Sequence, residues 1–123
     1  MVEKIYHKAM LKTEKTVYDP KAPSDGKRIL VMRLWPRGIS KDKIDLWLKD
    51  LGTEPDLIKR WKAGKISWPE FSKAYTASLK GKEPQLKELA KEAKKGTLTL
   101  LCSCKDEQHC HRSLLKKAIE KFA

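Results

Sequence analysis

All three cysteines of the sequence and two of its three histidines lie in one short segment near the C-terminus. The segment, Leu101–Arg112, reads LCSCKDEQHCHR. A cysteine at the start of a helix, close to histidine and arginine, has its thiolate favoured and is a candidate nucleophile. The C-x5-R loop of cysteine phosphatases is absent from the segment, so that mechanism is not predicted. The candidate catalytic residues are Cys102, Cys104, Cys110 and His111, with His109 as an alternative base.

The same side chains are soft metal ligands, so zinc binding is a second interpretation. Their spacing, C-x-C-x5-C-x-H, lacks the C-x2-C knuckle and a second paired element. Cys102 also falls inside a strand pattern, where a buried thiol is common packing. The spacing therefore predicts neither a metal site nor another cofactor. Zinc, if bound, would be held by Cys102, Cys104, Cys110 and either His109 or His111.

A second segment, RLWPRG at Arg33–Gly38, follows an apolar run and carries two arginines. Arginine recognises phosphate or carboxylate through two parallel hydrogen bonds, and a helix N-terminus also favours anions. If the two segments meet at one sheet edge, they form an anion-binding crevice. The alternative is that Arg33 and Arg112 pair with Asp25, Asp106 or Glu107 and fix loops. The candidate ligand-binding residues are Arg33, Trp35, Arg37, Arg112 and Ser113.

Two apolar runs predict the strands that position these segments. Arg28–Trp35 and Thr97–Ser103 resemble strands buried on both faces of a parallel sheet. A weaker alternation predicts a first strand at Lys4–Lys8. Caps and apolar spacing predict helices after Ser40, at Pro55, after Ser67, at Pro84 and from Cys110. This order predicts one small α/β domain over residues 1–123, with a short, mostly parallel sheet flanked by several helices.

The net charge of +12 comes from 28 Lys and Arg against 16 Asp and Glu. It is spread evenly, with +5 on residues 1–61 and +7 on residues 62–123. Nucleic acid or a phosphate-bearing small molecule is therefore a candidate partner, and a lysine-rich solvated surface explains the charge equally well. No apolar run is long enough to cross a bilayer, and the start of the chain lacks an apolar signal core. We expect a cytoplasmic protein without a membrane partner.

Several segments occur in the order found in the YeaO-like family of small bacterial and archaeal proteins, which this chain resembles. They include SDGKRILV, RLWPRGIS and LTLLCSCKDEQHCHRSLL. The resemblance covers nearly the whole chain and implies a compact cytosolic α/β domain with the two-segment layout. It implies no particular activity.

Relatives in this family usually have Asp directly before RLWPRG, where this chain has Met32. A carboxylate that could serve as acid, base or metal ligand is therefore missing. The resemblance favours a shared role for Arg33, Trp35, Pro36 and Arg37 over one for Cys104, because close relatives often lack the cysteines.

Three hypotheses follow. The leading one is a protein that binds a nucleotide, nucleic acid or metabolite through its phosphate or carboxylate in the crevice. The second is an enzyme or redox-active protein that uses a loop cysteine with a histidine. The third is a non-catalytic interaction module whose Cys/His cluster is structural.

Overall fold

Four short parallel strands form the centre of the fold. The computed structural model describes residues 10–122. The strands are β1 (Leu11–Lys12), β2 (Lys27–Leu30), β3 (Leu46–Trp47) and β4 (Leu98–Leu101), in the order β1-β4-β2-β3. β2 and β4 are direct neighbours, with Ile29 opposite Leu100. The prediction of a parallel pair joined by a helical crossover is thus confirmed, while the strand predicted at Lys4–Lys8 lies outside the described residues.

The four helices begin within one residue of the starts predicted from Pro55, Ser67, Pro84 and Cys110. They are α1 (Pro55–Lys62), α2 (Trp68–Ser78), α3 (Glu83–Lys95) and α4 (His111–Glu120). The capping box predicted for α2 is present: the Glu70 backbone N–H donates to Ser67 Oγ at 3.2 Å. In return, the Ser67 N–H donates to Glu70 Oε1 at 2.8 Å. These two bonds satisfy amides that a helix start would otherwise leave unpaired.

The helix predicted after Ser40 is wrong. That stretch forms a 3-10 turn (Lys41–Lys43), strand β3 and a second 3-10 turn (Lys49–Leu51). The free edge of β2 explains the difference, because the Asp45 N–H donates to the Arg28 carbonyl at 2.8 Å. Pairing with a strand edge overrides the apparent helical spacing of the apolar residues. Trp47, predicted on a helix, therefore lies on a strand.

Both strong strands are shorter than predicted and are buried on both faces. Sheet pairing covers Lys27–Leu30 and Leu98–Leu101, so Arg33 and Trp35 lie in the segment after β2. Ile29 and Leu100 pack among the helices in the main core. Leu30 and Leu101 face the opposite side and pack under loops with Val17. Among residues 10–122, no helix combines the length and apolar character needed to cross a bilayer.

The loop-covered face of the sheet also buries an ion pair. Arg28 Nη1 lies 2.6 Å from Asp25 Oδ2, and Lys15 Nζ lies 2.8 Å from Asp25 Oδ1. The Ala22 N–H donates to the same carboxylate at 3.0 Å. Arg28 is fully buried and Asp25 is 2% exposed. The burial of Asp25 raises its pKa, but the bonds from Lys15, Ala22 and Arg28 together outweigh this and lower it to about 2.

Candidate functional site

A cavity of about 470 Å³ opens at the carboxyl ends of β2 and β4. These ends are level, since Leu30 pairs with Leu101, so the segments that follow leave side by side. This is where ligands collect in parallel sheets. Met32, Arg33 and Leu34 line the cavity from the first segment, and residues 102–105 line it from the second. The other lining residues come from α1, the segment before it, α2, the 3-10 turn that contains His109, and the start of α4.

Two thiols and an imidazole form the floor of this cavity. Cys102 directly follows β4, Cys110 is the N-cap residue of α4, and His111 is its first residue. All three side chains are buried, and their sulfur and nitrogen ligand atoms lie within 4.8 Å of one another. His111 Nδ1 is 3.9 Å from Cys102 Sγ and 3.9 Å from Cys110 Sγ. This is the group of described residues that could hold a metal ion.

The Val31 carbonyl orients the imidazole of His111. His111 Nε2 contacts this oxygen, which can only accept, so Nε2 carries the proton. The other ring nitrogen, Nδ1, therefore faces the two sulfurs.

The three thiols shift one another's pKa. Hydrogen bonding from Cys110 lowers the pKa of Cys102, and His111 adds to the effect although burial opposes it. Contact with Cys110 also lowers the pKa of Cys104. Proximity to these two thiols and burial raise the pKa of Cys110 itself.

Arg112 lies in the interior and does not line the cavity. Its side chain is fully buried, and its Nε donates to the Thr13 carbonyl at 2.8 Å. Its Nη1 donates to the Cys104 carbonyl at 2.7 Å and approaches Cys110 Sγ at 3.1 Å. Instead of the predicted contact with an anion, Arg112 bonds to three separate parts of the chain and clamps them together. The acidic partners considered in the alternative do not pair with it either.

Three further predicted residues also lie away from the cavity wall. The Trp35 indole donates to the Ile39 carbonyl at 2.7 Å and packs edge-on against Trp47, at 5.4 Å between ring centroids. Ser113 Oγ donates to the Glu107 carbonyl. Arg37 is exposed. The stacking role predicted for Trp35 does not agree with this placement, because its ring is already packed under the loop that follows β2.

Arg33 does line the cavity, as predicted. Its Nε donates to the Gly52 carbonyl at 3.1 Å, and its Nη2 lies 3.0 Å from Glu54 Oε1. Lys62 and Lys105 are the other cationic lining residues, and none of the described lining residues is Asp or Glu. The Thr53 hydroxyl also borders the cavity and is buried without a hydrogen-bond partner among residues 10–122.

One wall of the cavity is aromatic, and the sequence pattern does not reveal it. Trp61, Phe71 and His109 line this wall, and Trp68 supports it from behind. The Trp61 and His109 rings stack with centroids 6.1 Å apart. In the sequence, Trp61 and Phe71 sit at core positions of amphipathic helices, so they read as packing residues. The feature that could have indicated a role for Trp61 in the cavity wall is the short length of α1, because it places Trp61 near the end of the helix.

The comparisons with known proteins agree on one family. A family model described as "DUF488-N3a: Active DUF488-N3 subclade" matches residues 12–123. The chain is 43% identical over 103 residues to the uncharacterized protein YeaO of Escherichia coli K12. The matched region covers 82% of this chain and 90% of that protein. It is 29% identical over 105 residues to the uncharacterized protein Rv3073c of Mycobacterium tuberculosis, covering 84% of this chain and 88% of that protein.

No solved structure matches the chain. The names of these relatives assign no ligand or activity, so a function has to be argued from the site itself. The family match spans nearly all of the chain, and the resemblance seen in the sequence is confirmed. The chain belongs to the DUF488-N3a family.

Proposed function

We propose that the cavity binds a small organic anion whose flat, apolar part lies against the aromatic wall. The observation that carries the proposal is the charge of the lining: Arg33, Lys62 and Lys105 are cationic, and no described lining residue is acidic. Field lines from one sign of charge concentrate in such a cleft. The volume of about 470 Å³ is within the range of pockets that enclose small ligands, roughly 300–1,000 Å³.

Arg33 is the main anion contact in this proposal. Its side chain is 28% exposed, and its partner Glu54 is 59% exposed, so a ligand phosphate or carboxylate can replace the Glu54 carboxylate without burying a new charge. Arginine would bind such a group through its planar fork. The Thr53 hydroxyl supplies a further polar contact for a ligand that enters the cavity.

A nucleoside monophosphate is the probe that best combines these features, because its base can stack on Trp61 while its phosphate reaches Arg33. We would titrate chelator-treated protein with AMP, adenosine and inorganic phosphate and follow backbone amide shifts by NMR. The proposal predicts saturable shifts confined to the segments after β2 and β4 and to α1. AMP should bind more tightly than either of its parts.

Matched arginine variants test the contact directly. Arg33→Ala should weaken AMP binding about 10- to 100-fold, since it removes a charge-assisted hydrogen bond worth about 1.5–3 kcal/mol. Arg37→Ala, an exposed arginine outside the cavity, should leave affinity unchanged. Equal losses in the two variants would contradict the proposal.

Salt dependence separates the pocket from a general nucleic-acid surface. One anion in a cavity gives a shallow decrease of affinity with salt, whereas a duplex along lysine-bearing helices gives a steep one. The opposite outcome is a short DNA that binds with a steep salt dependence and without shifting the amide signals of cavity residues. That result would contradict the small-ligand proposal and favour nucleic acid as the partner.

A thiol-dependent enzyme is the second candidate function. The supporting observation is that Cys102 and His111 face each other on the floor of the same cavity, 3.9 Å apart. In metal-free protein this candidate predicts that one of the three cysteines is alkylated by iodoacetamide much faster than a free thiol near neutral pH. Slow alkylation of all three would eliminate it.

A further inference from the structure

We infer that Cys102, Cys110 and His111 form a zinc site on the floor of the cavity. In tetrahedral coordination, Zn–S bonds of about 2.3 Å and Zn–N bonds of about 2.0–2.1 Å separate sulfur from nitrogen by about 3.6 Å. Both sulfurs lie 3.9 Å from His111 Nδ1 in the structure. A contraction of about 0.3 Å would therefore bring the nitrogen to this distance from each sulfur. The two sulfurs lie within 4.8 Å of each other and would approach to about 3.8 Å around the same ion.

The surroundings of the three side chains match those of metal ligands. Zinc-bound histidine usually donates its second ring N–H to a carbonyl or carboxylate, which fixes the ring. His111 does this through Nε2 and the Val31 carbonyl. The Arg112 guanidinium lies 3.1 Å from Cys110 Sγ, where it would stabilise a zinc-bound thiolate.

Two cysteines and one histidine leave the fourth coordination position of zinc open. All three residues line the cavity, so that position faces it and would hold water or an oxygen atom of a bound molecule. Cys104 lies outside the three-atom group; its sulfur contacts the carbonyl oxygens of Asp106 and His109 at 3.6 and 3.7 Å. The site does not depend on the proposed anionic ligand, because all its ligands belong to the protein.

The first measurement uses the wild-type chain without a histidine tag. We would determine zinc content after dialysis by elemental analysis, and then replace zinc with Co²⁺ to record its absorption. The inference predicts one metal ion per chain, thiolate-to-cobalt charge transfer and the intense visible bands of tetrahedral Co²⁺. In the same protein, zinc should protect Cys102 and Cys110 from iodoacetamide, with Cys104 still modified, as read by peptide mass spectrometry. Absence of bound metal, or no protection of the two buried thiols, would overturn the inference.

Serine variants then count the ligands. Cys102→Ser and Cys110→Ser should each raise the dissociation constant for zinc more than about 100-fold, which exceeds the effect of losing an outer partner. Cys104→Ser is the matched control and should keep one zinc per chain with unchanged affinity. Loss of zinc from Cys104→Ser would mean a closed four-ligand site and would refute the open position. The protection measurement on wild-type protein decides the case if a variant does not fold.

The same experiments distinguish zinc from the proposed functions. If zinc binds, both buried sulfurs become metal ligands and are protected from iodoacetamide. If the protein is instead a thiol enzyme, a cysteine of the dialysed protein should be alkylated fast, and added zinc should not prevent it. The AMP titration uses chelator-treated protein, so a failure there leaves the metal measurements unaffected.

Discussion

Replacing Asp25 with asparagine should destabilise the protein strongly at neutral pH and much less in acid. The neutral amide of asparagine cannot balance the charge of Arg28, which is fully buried. Removing one partner of a buried ion pair typically costs about 3–5 kcal/mol. Lys15 would lose the same carboxylate, from a distance of 2.8 Å.

The pH dependence follows from the pKa of Asp25. Its value falls from an ordinary 3.8 to about 2 on folding, which corresponds to about 2 kcal/mol of stability in the ionised state. Because the folded pKa is the lower one, this stability is present above pH 3.8 and is lost as the pH falls toward 2. At about pH 2.5 the wild type should have lost more than half of this contribution.

Urea unfolding followed by tryptophan fluorescence, near neutral pH and at about pH 2.5, measures both effects. The difference in unfolding free energy between wild type and Asp25→Asn should shrink by roughly 1–2 kcal/mol in acid. Asp56→Asn is the control, because Asp56 pairs with Arg60 on an exposed helix face and should change stability by less than about 0.5 kcal/mol. A difference that stays constant with pH would refute the assignment of the low pKa to Asp25.

Two further variants test how the site is held together. Gly52→Ala should lower stability by about 1–3 kcal/mol and weaken AMP binding, because an added Cβ would lie 2.5 Å from the Arg33 backbone nitrogen; Gly96→Ala, which meets no atom within 4 Å, is the control in thermal unfolding. Arg112→Lys should cost about 3 kcal/mol in urea unfolding, because an ammonium group cannot reproduce the fork that bonds two backbone carbonyls. An Arg112→Lys variant as stable as the wild type would contradict the role of Arg112 as a clamp. Arg37→Lys is the control and should not change stability.

The sequence predicts the helices well because their starts depend on local chemistry. Ser67 and Glu70 complete a capping box within one turn, and Pro55 can occupy a first helical turn without losing a hydrogen bond. Strand β3 depends instead on a remote edge, since Leu46 pairs with Ile29. Nothing in the spacing of Ile44 and Leu48 indicates that edge, so a helix is predicted there.

The sequence predicts where the candidate site lies better than it predicts which side chains line it. Adjacent parallel strands place the segments after Leu30 and Leu101 at one edge, as the two apolar runs indicate. The role of an arginine depends on burial, which the sequence does not show: Arg33 reaches the cavity, while Arg112 is enclosed by backbone carbonyls. Trp61 joins the wall only because α1 is folded over the strand ends.

Electrostatics connects the two proposals. The proposed anion would meet the cationic side chains of Arg33, Lys62 and Lys105, but a thiolate at Cys102 would place negative charge directly beneath it. A divalent cation bound by both sulfurs cancels that charge and leaves the floor neutral. The surrounding arginine and lysines then act on the ligand without opposition. Under the two proposals, a metal on the floor and an anion above it would therefore stabilise each other in one small cavity.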